Sequence, residues 1–477
     1  MDLDIVLLSR LQFALTIMVH YLFPPLSIGL GAQMVIAEGM FLRTDDRRWE
    51  AIARFWTKLF AVNFAVGVAT GIVMEFEFGT NWATYSRFVG DVFGSALASE
   101  GIFAFFLESG FLAILVFGWD RVGPKMHFFS TTMVFTGSVF SSVWIVIANS
   151  WMHTPAGYHL VDDGEGHVRA EITDFWAMIF NPSSMHRLGH VLLGAFILGA
   201  FFTMSIGAYY LLKKRHEDIA KRMVAVGLIF GALSSVGILV SGHSQARAMA
   251  RNQPAKLAAM EGHFHTGEGP TDLYLLGWPD REAEIVHFGI AMPGMLSFLV
   301  YDDFETPVPG LDQIDDEDEP PVLIPFVTYH VMVACGMYFI GLTLLGCFML
   351  FRRTLWDTPW LLKLLMISVP LPYLANQAGW VATEVGRQPW VVYGELRTAD
   401  AVSVAVGSDQ VAGSIILFGI IYIALVVLWL VVMNEKIKHG PEDPATLGPK
   451  TRGSVVEAAT RLSLHDAHRM THAEEEE

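Results

Sequence analysis

The sequence predicts an all-α integral membrane protein with about nine transmembrane helices. Of its 477 residues, 53% are hydrophobic and only 17% are charged, and the mean hydropathy is +0.44. Apolar runs of about 20 residues, enough to cross a bilayer, recur along the chain, and backbone polar groups in lipid have to bond within a helix. The predicted runs are 12–36, 54–75, 96–118, 127–149, 188–212, 222–242, 322–351, 361–383 and 411–433.

The placement of Lys and Arg predicts the orientation. If the ends of the runs alternate between two sides, 16 basic residues fall on one side and six on the other. Cytoplasmic loops carry the excess of positive charge, so we expect the N-terminus outside and the C-terminus in the cytoplasm. The first run is preceded by Arg10 and holds His20 and the pair Pro24-Pro25, which does not suit a cleaved signal peptide.

Residues 1–440 are predicted to form the membrane domain. Its longest loop, 243–321, lies outside and carries 15 acidic against four basic residues. The polar segment 441–477 is predicted to be a disordered cytoplasmic tail. Cys335 and Cys347 share one apolar run, which excludes an extracellular disulfide framework. We find no internal repeat and no phosphate-binding glycine loop, and nothing supports nucleic-acid binding.

Ionisable residues inside the runs are the main functional signal, because each costs a few kcal/mol in lipid unless it faces protein, water or a cofactor. His20 lies roughly 12 Å below the outer surface. It either bonds a neighbouring helix or binds a metal or heme. Glu100 and Glu108 share one helix, about 80° apart. Two carboxyl groups in one membrane helix indicate a proton-carrying role, with structural hydrogen bonding as the alternative.

Three further residues, His190, Met332 and Glu384, gain meaning from their depth. His190 lies just inside the outer end of the fifth run, with His186 one turn earlier in the loop. Met332 lies about ten residues into the seventh run; such a methionine is usually packing, but a His/Met pair can hold a heme iron. Glu384 ends the run 361–383, where it either caps the helix or pairs with Arg387. Together with His20, these positions cluster in the outer half of the bilayer and suit redox centres.

Six ordered stretches resemble subunit I of cytochrome bd-type quinol oxidases, and the resemblance covers residues 3 to about 440. The stretches are SRLQFALTIMVH (9–20), TKLFAVNFAVGVATGIVMEFEFGTNW (57–82), YSRFVGDVFGSALASEGIFAFFLES (85–109), VIANSWMHTP (146–155), QPAKLAAMEG (253–262) and GWVATEVGRQPW (379–390). The resemblance implies a heme-bearing catalytic subunit that oxidises quinol at the outer face. It implies reduction of O2 to water with cytoplasmic protons, which builds a proton gradient without pumping.

The implied cofactors are a low-spin heme b, a high-spin heme b and a heme d. By resemblance, His190 and Met332 are the axial pair of the low-spin heme. His20 and Glu384 each serve one high-spin iron, and which of these is heme d stays open. Trp380 resembles an aromatic residue that bridges hemes. Arg10 and Arg387 are expected to face heme propionates or the oxygen site.

The resemblance also implies proton and quinol residues. Glu100, Glu108 and Ser141 match the proton route, while Lys256 and Glu261 match the loop residues that bind or deprotonate quinol. The implied setting is a multi-pass protein of a prokaryotic cytoplasmic membrane, in contact with lipid and with a second integral-membrane subunit. Small single-span accessory subunits are left open.

Two departures from the family pattern lie near the quinol and low-spin heme side. His330 stands two residues before Met332, where members usually have arginine, and His243 follows Gly242 where the usual pair is Gly-Asp. Two alternatives remain. An oxidase of the same family with only b-type hemes shares the same ligands, and a proton-coupled transporter also has intramembrane carboxylates, although it usually shows internal repeats.

Overall fold

The computed structural model describes residues 4–162, 164 and 168–448, and this part of the chain is mainly helical. Its helices are α1 (Ile5–His20), α2 (Pro24–Thr44), α3 (Arg47–Gly79), α4 (Ala83–Phe88), α5 (Gly90–Glu100), α6 (Phe106–Phe117), α7 (Pro124–His153), α8 (Phe175–Ile179), α9 (Ser184–Leu212), α10 (Glu217–Asn252), α11 (Pro254–Glu261), α12 (Met295–Tyr301), α13 (Leu323–Phe351), α14 (Pro359–Ile367), α15 (Pro370–Val385) and α16 (Ser408–His439). Its strands form three antiparallel pairs: β1 (Tyr158–Asp162) with β2 (Val168–Ile172), β3 (Leu273–Asp280) with β4 (Ile285–Met292), and β5 (Trp390–Val392) with β6 (Leu396–Arg397).

Eight segments of the described chain are helical, long and apolar enough to cross a membrane. The first predicted run is covered by two helices, α1 and α2, which are separated at residues 21–23. Pro24 and Pro25 are the first residues of α2. The backbone N–H groups of a first helical turn make no hydrogen bond within the helix, so proline costs nothing there. The third crossing also has an interruption, because a π-helical turn, Gly101–Phe105, joins α5 to α6.

The predicted run 361–383 forms two short helices instead of one. Helix α14 ends at Ile367 and α15 begins at Pro370, so neither reaches the length of a full crossing by itself. Proline cannot donate a helical hydrogen bond, which explains the break. The all-α membrane class is confirmed, while the nine crossings and the orientation stay predictions.

The centre of the bundle is a close crossing of α2 and α9. A Cβ added to Gly29 would lie 2.3 Å from the Ala195 carbonyl oxygen, and one added to Gly199 would lie 2.4 Å from the Gly29 backbone. Small residues let membrane helices approach until their backbones touch, which supplies packing contacts that lipid cannot. Helix α10 lies beside α9 in the same way, with Gly227 against Met204.

The loop predicted at 243–321 begins later than expected, because α10 continues to Asn252. It contains α11, the β3–β4 hairpin and α12. Two arginines hold its acidic segment: Arg281 pairs with Glu319, and Arg397 bonds Asp318 at 2.7 Å. The loop is therefore a folded cap on one end of the bundle.

The predicted tail 441–477 is described only as far as residue 448. Lys58 pairs with Glu442 at 2.5 Å, and the Arg47 guanidinium donates to the Leu447 carbonyl at 3.1 Å. The tail thus starts against the end of the bundle opposite the loop. The remainder of the predicted tail lies outside the described residues.

Candidate functional site

Glu384 lies in the last turn of α15, at the loop end of the bundle. Its Oε2 atom accepts from Arg387 at 2.6 Å, and its Oε1 atom accepts from Asn149 at 3.1 Å and from His153 Nε2 at 3.2 Å. The Arg187 guanidinium lies 3.9 Å from Oε1. This carboxylate, whose side chain is 13% exposed, lies between two guanidinium groups and is a fixed anion with strong, charge-assisted partners.

His153 joins Glu384 to Lys256, one of the two predicted quinol residues. Lys256 Nζ donates to His153 Nδ1 at 2.7 Å, so the imidazole bridges the lysine and the carboxylate. Lys256 is only 3% exposed because α11 packs its whole length against the bundle. Burial, and then the charge of Arg187, hold the pKa of Lys256 well below its usual range.

Glu261, the other predicted quinol residue, ends α11 and is 1% exposed. Neither of its carboxyl oxygens makes a hydrogen bond of full geometry within the described chain, although the Tyr329 hydroxyl interacts with it. Burial raises the pKa of Glu261 to about 7. A carboxyl group tuned to neutral pH can take up and release a proton under working conditions.

His190 and Met332 each lie against a glycine of a neighbouring helix, Gly242 of α10 and Gly379 of α15. A Cβ on Gly242 would lie 3.7 Å from His190 Cε1, and a Cβ on Gly379 would lie 2.7 Å from Met332 Sδ. His190 Nδ1 is buried without a hydrogen-bond partner among the described residues. His186, predicted to lie in the loop, is in the first turn of α9 and bonds Ser244 at 2.9 Å. Of these two histidines, His190 has a fully buried ring nitrogen without a hydrogen-bond partner among the described residues.

His20 ends α1 inside the bundle. Its Nδ1 atom lies 3.0 Å from Thr70 Oγ1, and a Cβ on Gly71 would lie 3.1 Å from its Cε1 atom. The ring therefore rests on the glycine-lined face of α3. Because α1 ends at His20, no following turn of the same helix packs against the histidine ring.

Glu100 and Glu108 both point to α7. Ser141 Oγ donates to Glu100 Oε1 at 2.5 Å, and Ser138 Oγ donates to Glu108 Oε1 at 2.6 Å. The angle of about 80° predicted for a regular α-helix does not apply, because the π turn between them changes the rotation per residue. The interruption brings both carboxyl groups to one neighbouring helix.

The remaining predicted residues have fewer contacts. Trp380 and Arg10 are half-buried in α15 and α1. His330 bridges two carbonyl oxygens, of Phe326 and of Tyr274 in β3, each at 2.8 Å. His243 bonds Asp302 at 2.9 Å. The two departures from the family pattern thus anchor the loop to α13 and α10.

The residues present fit iron porphyrins better than a bare metal ion. Within the described residues no three His, Cys, Asp or Glu side chains converge on one point. His190 keeps a buried nitrogen without a partner, and two guanidinium nitrogens of Arg387, Nε and Nη1, are also buried without one, as an acidic ring substituent requires. Glu384 is already bonded, so it could ligate iron only by sharing or exchanging a partner.

Comparison with known proteins decides the family. The sequence profile described as cytochrome bd terminal oxidase subunit I matches residues 8–441. The chain belongs to this family. It is 39% identical over 444 residues to cytochrome bd ubiquinol oxidase subunit 1 of Bacillus subtilis (strain 168), covering 91% of this chain and 94% of the relative. It is 35% identical over 503 residues to cytochrome bd-II ubiquinol oxidase subunit 1 of Escherichia coli (strain K12), covering 92% and 97%.

The solved structure of bd oxidase from Geobacillus thermodenitrificans has the same fold. The TM-score is 0.86 at 30% identity, and the match covers 92% of this chain and all of that one. As a bd oxidase subunit I, the chain is an oxidoreductase that uses quinol and heme. It is a multi-pass protein of a prokaryotic plasma membrane. The relatives are named subunit 1, which implies a subunit II in the complex.

Three residues of the Glu384 cluster were missed from the sequence. His153 and Asn149 lie in the stretch VIANSWMHTP, which we used for the resemblance without weighing its polar side chains. Arg187 entered only as an outer basic residue in the charge count. The available signal was a histidine at the end of an apolar run, four residues after an asparagine on the same helix face.

Proposed function

We propose that this chain is the heme-bearing catalytic subunit of a bd-type quinol:oxygen oxidoreductase with a low-spin heme b, a high-spin heme b and a heme d. The observation that carries the proposal is the buried connection Lys256–His153–Glu384. It joins the residue expected to bind quinol to the carboxylate expected to serve a high-spin iron.

On the quinol side, Lys256 and Glu261 lie on one buried helix, α11. The Lys256 amine can bond a quinol oxygen, and Glu261 can accept a hydroxyl proton because its pKa lies near neutrality. Residues 243–321, with α11 at their core, are thus the proposed quinol loop. Proton release from Glu261 then occurs on the loop side of the membrane.

On the heme side, His190 and Met332 would hold the low-spin iron, His20 one high-spin iron and Glu384 the other. When bound, these groups supply one-electron transfer and reduction of O2 to water. Arg387 offers two unpaired donors to a propionate, and Arg10 and Trp380 are placed on the same helices as ligands. The ring of His153 keeps Glu384 and Lys256 in fixed positions.

Protons for water formation would reach the high-spin site through Glu108 and Glu100. The Ser138 and Ser141 hydroxyls hold the two carboxyl groups on one side of α7. Each serine can donate to its carboxylate and rotate to accept, which suits stepwise proton movement. Uptake on the side opposite the quinol loop separates charge across the membrane, so no pump is required.

The membrane setting follows from the charge bias. The end of the bundle with the excess of Lys and Arg is proposed to be cytoplasmic, with the N-terminus and the quinol loop outside. The lipid-facing surface would also meet the second integral-membrane subunit. Small single-span accessory subunits could join the same surface.

A reduced-minus-oxidised absorption spectrum of the purified two-subunit complex tests the proposal. We expect b-type heme bands together with a red-shifted chlorin band. Heme bands without the chlorin band would support a quinol oxidase that carries a b-type heme in place of heme d. A colourless, fully assembled complex would contradict the proposal.

Met332→Ala tests the ligand assignment within the same experiment. The low-spin heme signal should fall sharply while the high-spin signals stay, since alanine cannot supply the thioether. His186→Ala is the matched control for His190→Ala, because both histidines lie in the first two turns of α9. An unchanged low-spin spectrum in His190→Ala would reject the assignment.

A further inference from the structure

A second pair of buried ionisable side chains lies at the end of the bundle opposite the quinol loop. Glu38 of α2 and His127 of α7 are 2% and 1% exposed. His127 Nδ1 lies 2.9 Å from Glu38 Oε2, and Thr131 Oγ donates to Glu38 Oε1 at 2.5 Å. Neither residue belongs to the quinol site or to the heme ligands.

The hydrogen bonds require this pair to hold a proton. His127 Nε2 lies 3.1 Å from the Leu115 carbonyl oxygen, which can only accept, so Nε2 carries a hydrogen. The contact of Nδ1 with Glu38 then needs a second hydrogen, either on Nδ1 or on the carboxyl group. In both forms the pair is neutral as a unit and stores one proton that either partner can release.

The pair lies at the wall of a pocket. It measures about 380 Å³, part of it open solvent, and both Glu38 and His127 line it. The other charged residues along it are Arg47, Glu50, Arg54 and Asp120. Arg54 is bonded to Glu50 at 2.9 Å and to Asp120 at 2.6 Å, so these charges are paired with one another. Solvent therefore approaches the pair from this face.

Helix α7 connects the pair with the proposed proton route. Positions 127, 131, 138 and 141 fall within about 80° of one another around an α-helix. His127, Thr131, Ser138 and Ser141 thus share one face of α7, on which the buried Val134 lies between Thr131 and Ser138. Ser138 and Ser141 bond Glu108 and Glu100. The step from Thr131 to Ser138 spans about 10 Å along the axis, which water has to bridge.

We propose that the Glu38–His127 pair is the entry site at which protons from the face opposite the quinol loop are loaded before they pass along α7 to Glu108. The inference rests on the proposed function, since it extends the same route. A proton from pocket water joins the pair, the proton already held leaves on the Thr131 side, and Glu108 receives it through water and Ser138. No bond other than those to hydrogen changes.

Glu38→Gln separates this role from a structural one. Glutamine has the same shape, its amide can donate to His127 Nδ1, and its oxygen can accept from Thr131. The packing of α2 on α7 is thus kept, while the transferable proton is lost. Ser130→Ala is the matched control, because Ser130 is equally buried on α7 and bonds only Met126 of its own helix at 3.0 Å.

The experiment uses the complete two-subunit oxidase reduced in full and then mixed with O2. A pH-indicator dye reports proton uptake, and absorption spectra report heme content. We expect Glu38→Gln to keep the wild-type spectrum and to slow proton uptake and quinol-driven O2 consumption about tenfold or more. Ser130→Ala should match the wild type in both. Glu38→Gln uptake within twofold of wild type would overturn the entry site.

If Glu38→Gln lowers heme content, His127→Asn carries the same test, since its amide can still donate to Glu38 but cannot store a proton. The same slowing is expected, and normal uptake would again overturn the entry site. A wild-type complex that consumes no O2 with quinol would reject the proposed function itself. Active wild type with unaffected variants would reject only the role of the pair.

Discussion

Two glutamates of this molecule, Glu384 and Glu108, have opposite surroundings. Glu384 lies between Arg387 and Arg187 and also accepts from His153. Glu108 receives one hydrogen bond, from Ser138, in the middle of the third crossing. Glu384 is thus fixed as an anion at the loop end of the bundle. Glu108, inside the bundle, has only a neutral hydroxyl as its hydrogen-bond donor.

The difference shows how one residue type can serve two purposes. A carboxylate held by two guanidinium groups keeps its charge and its place, which suits an iron ligand beside anionic propionates. A carboxyl group bonded to a single hydroxyl can gain and lose a proton with little rearrangement, which suits a relay. Each purpose can be tested with the same substitution.

Glu384→Gln should have the largest effect. The amide loses both the ion pair with Arg387 and the charge that an iron would need, so the matching high-spin heme signal and quinol-driven O2 consumption should both disappear. Absorption spectra and oxygen-electrode assays on the purified complex measure these. Retention of the full heme signal would show that Glu384 ligates no iron.

Glu108→Gln should lower O2 consumption without changing the heme spectrum. We expect a normal heme spectrum and a loss of O2 consumption on the order of 10²-fold, because the amide fills the same space against Gly137 but carries no proton. Ser138→Ala is the control for the hydrogen bond alone and should have a much smaller effect. Loss of heme in Glu108→Gln would place this residue among the ligands instead.

Much of this arrangement follows from the sequence, and the rest depends on tertiary contacts. Apolar length predicts the membrane helices, and the family resemblance favours His190 over His186. The π turn at Gly101–Phe105 could not be predicted, because its residues continue the apolar run and carry no signal that separates a π turn from an α-helix. The role of His153 emerges only when α7, α11 and α15 meet, since its two partners are 103 and 231 residues away.

His153→Leu should have an intermediate effect on the loop end. It removes the bridge between Lys256 and Glu384, and one bond to a charged group is worth about 1.5–3 kcal/mol. The KM for quinol should rise about tenfold. His153→Gln is the control, because its amide can bond both partners. If leucine and glutamine give the same KM, the bridge does not position Lys256.

The pH dependence of quinol oxidation gives the smallest and finest test. Burial raises the pKa of Glu261 to about 7, so the carboxyl group stays protonated below that pH and can accept a quinol proton only above it. The kcat/KM for quinol should rise with pH and level off above about 7. Glu261→Gln should lower the plateau and remove this rise. An unchanged profile in Glu261→Gln would assign the titration to another group.

Cryo-electron microscopy of the purified two-subunit complex can locate the irons. It tests most directly whether Glu384 is an iron ligand and Glu108 a proton carrier. We expect one iron between His190 and Met332, one at His20 and one at Glu384, with none at Glu100 or Glu108. An iron bound by Glu108, or a Glu384 carboxylate still paired only with Arg387 and His153 and far from any heme, would contradict these assignments.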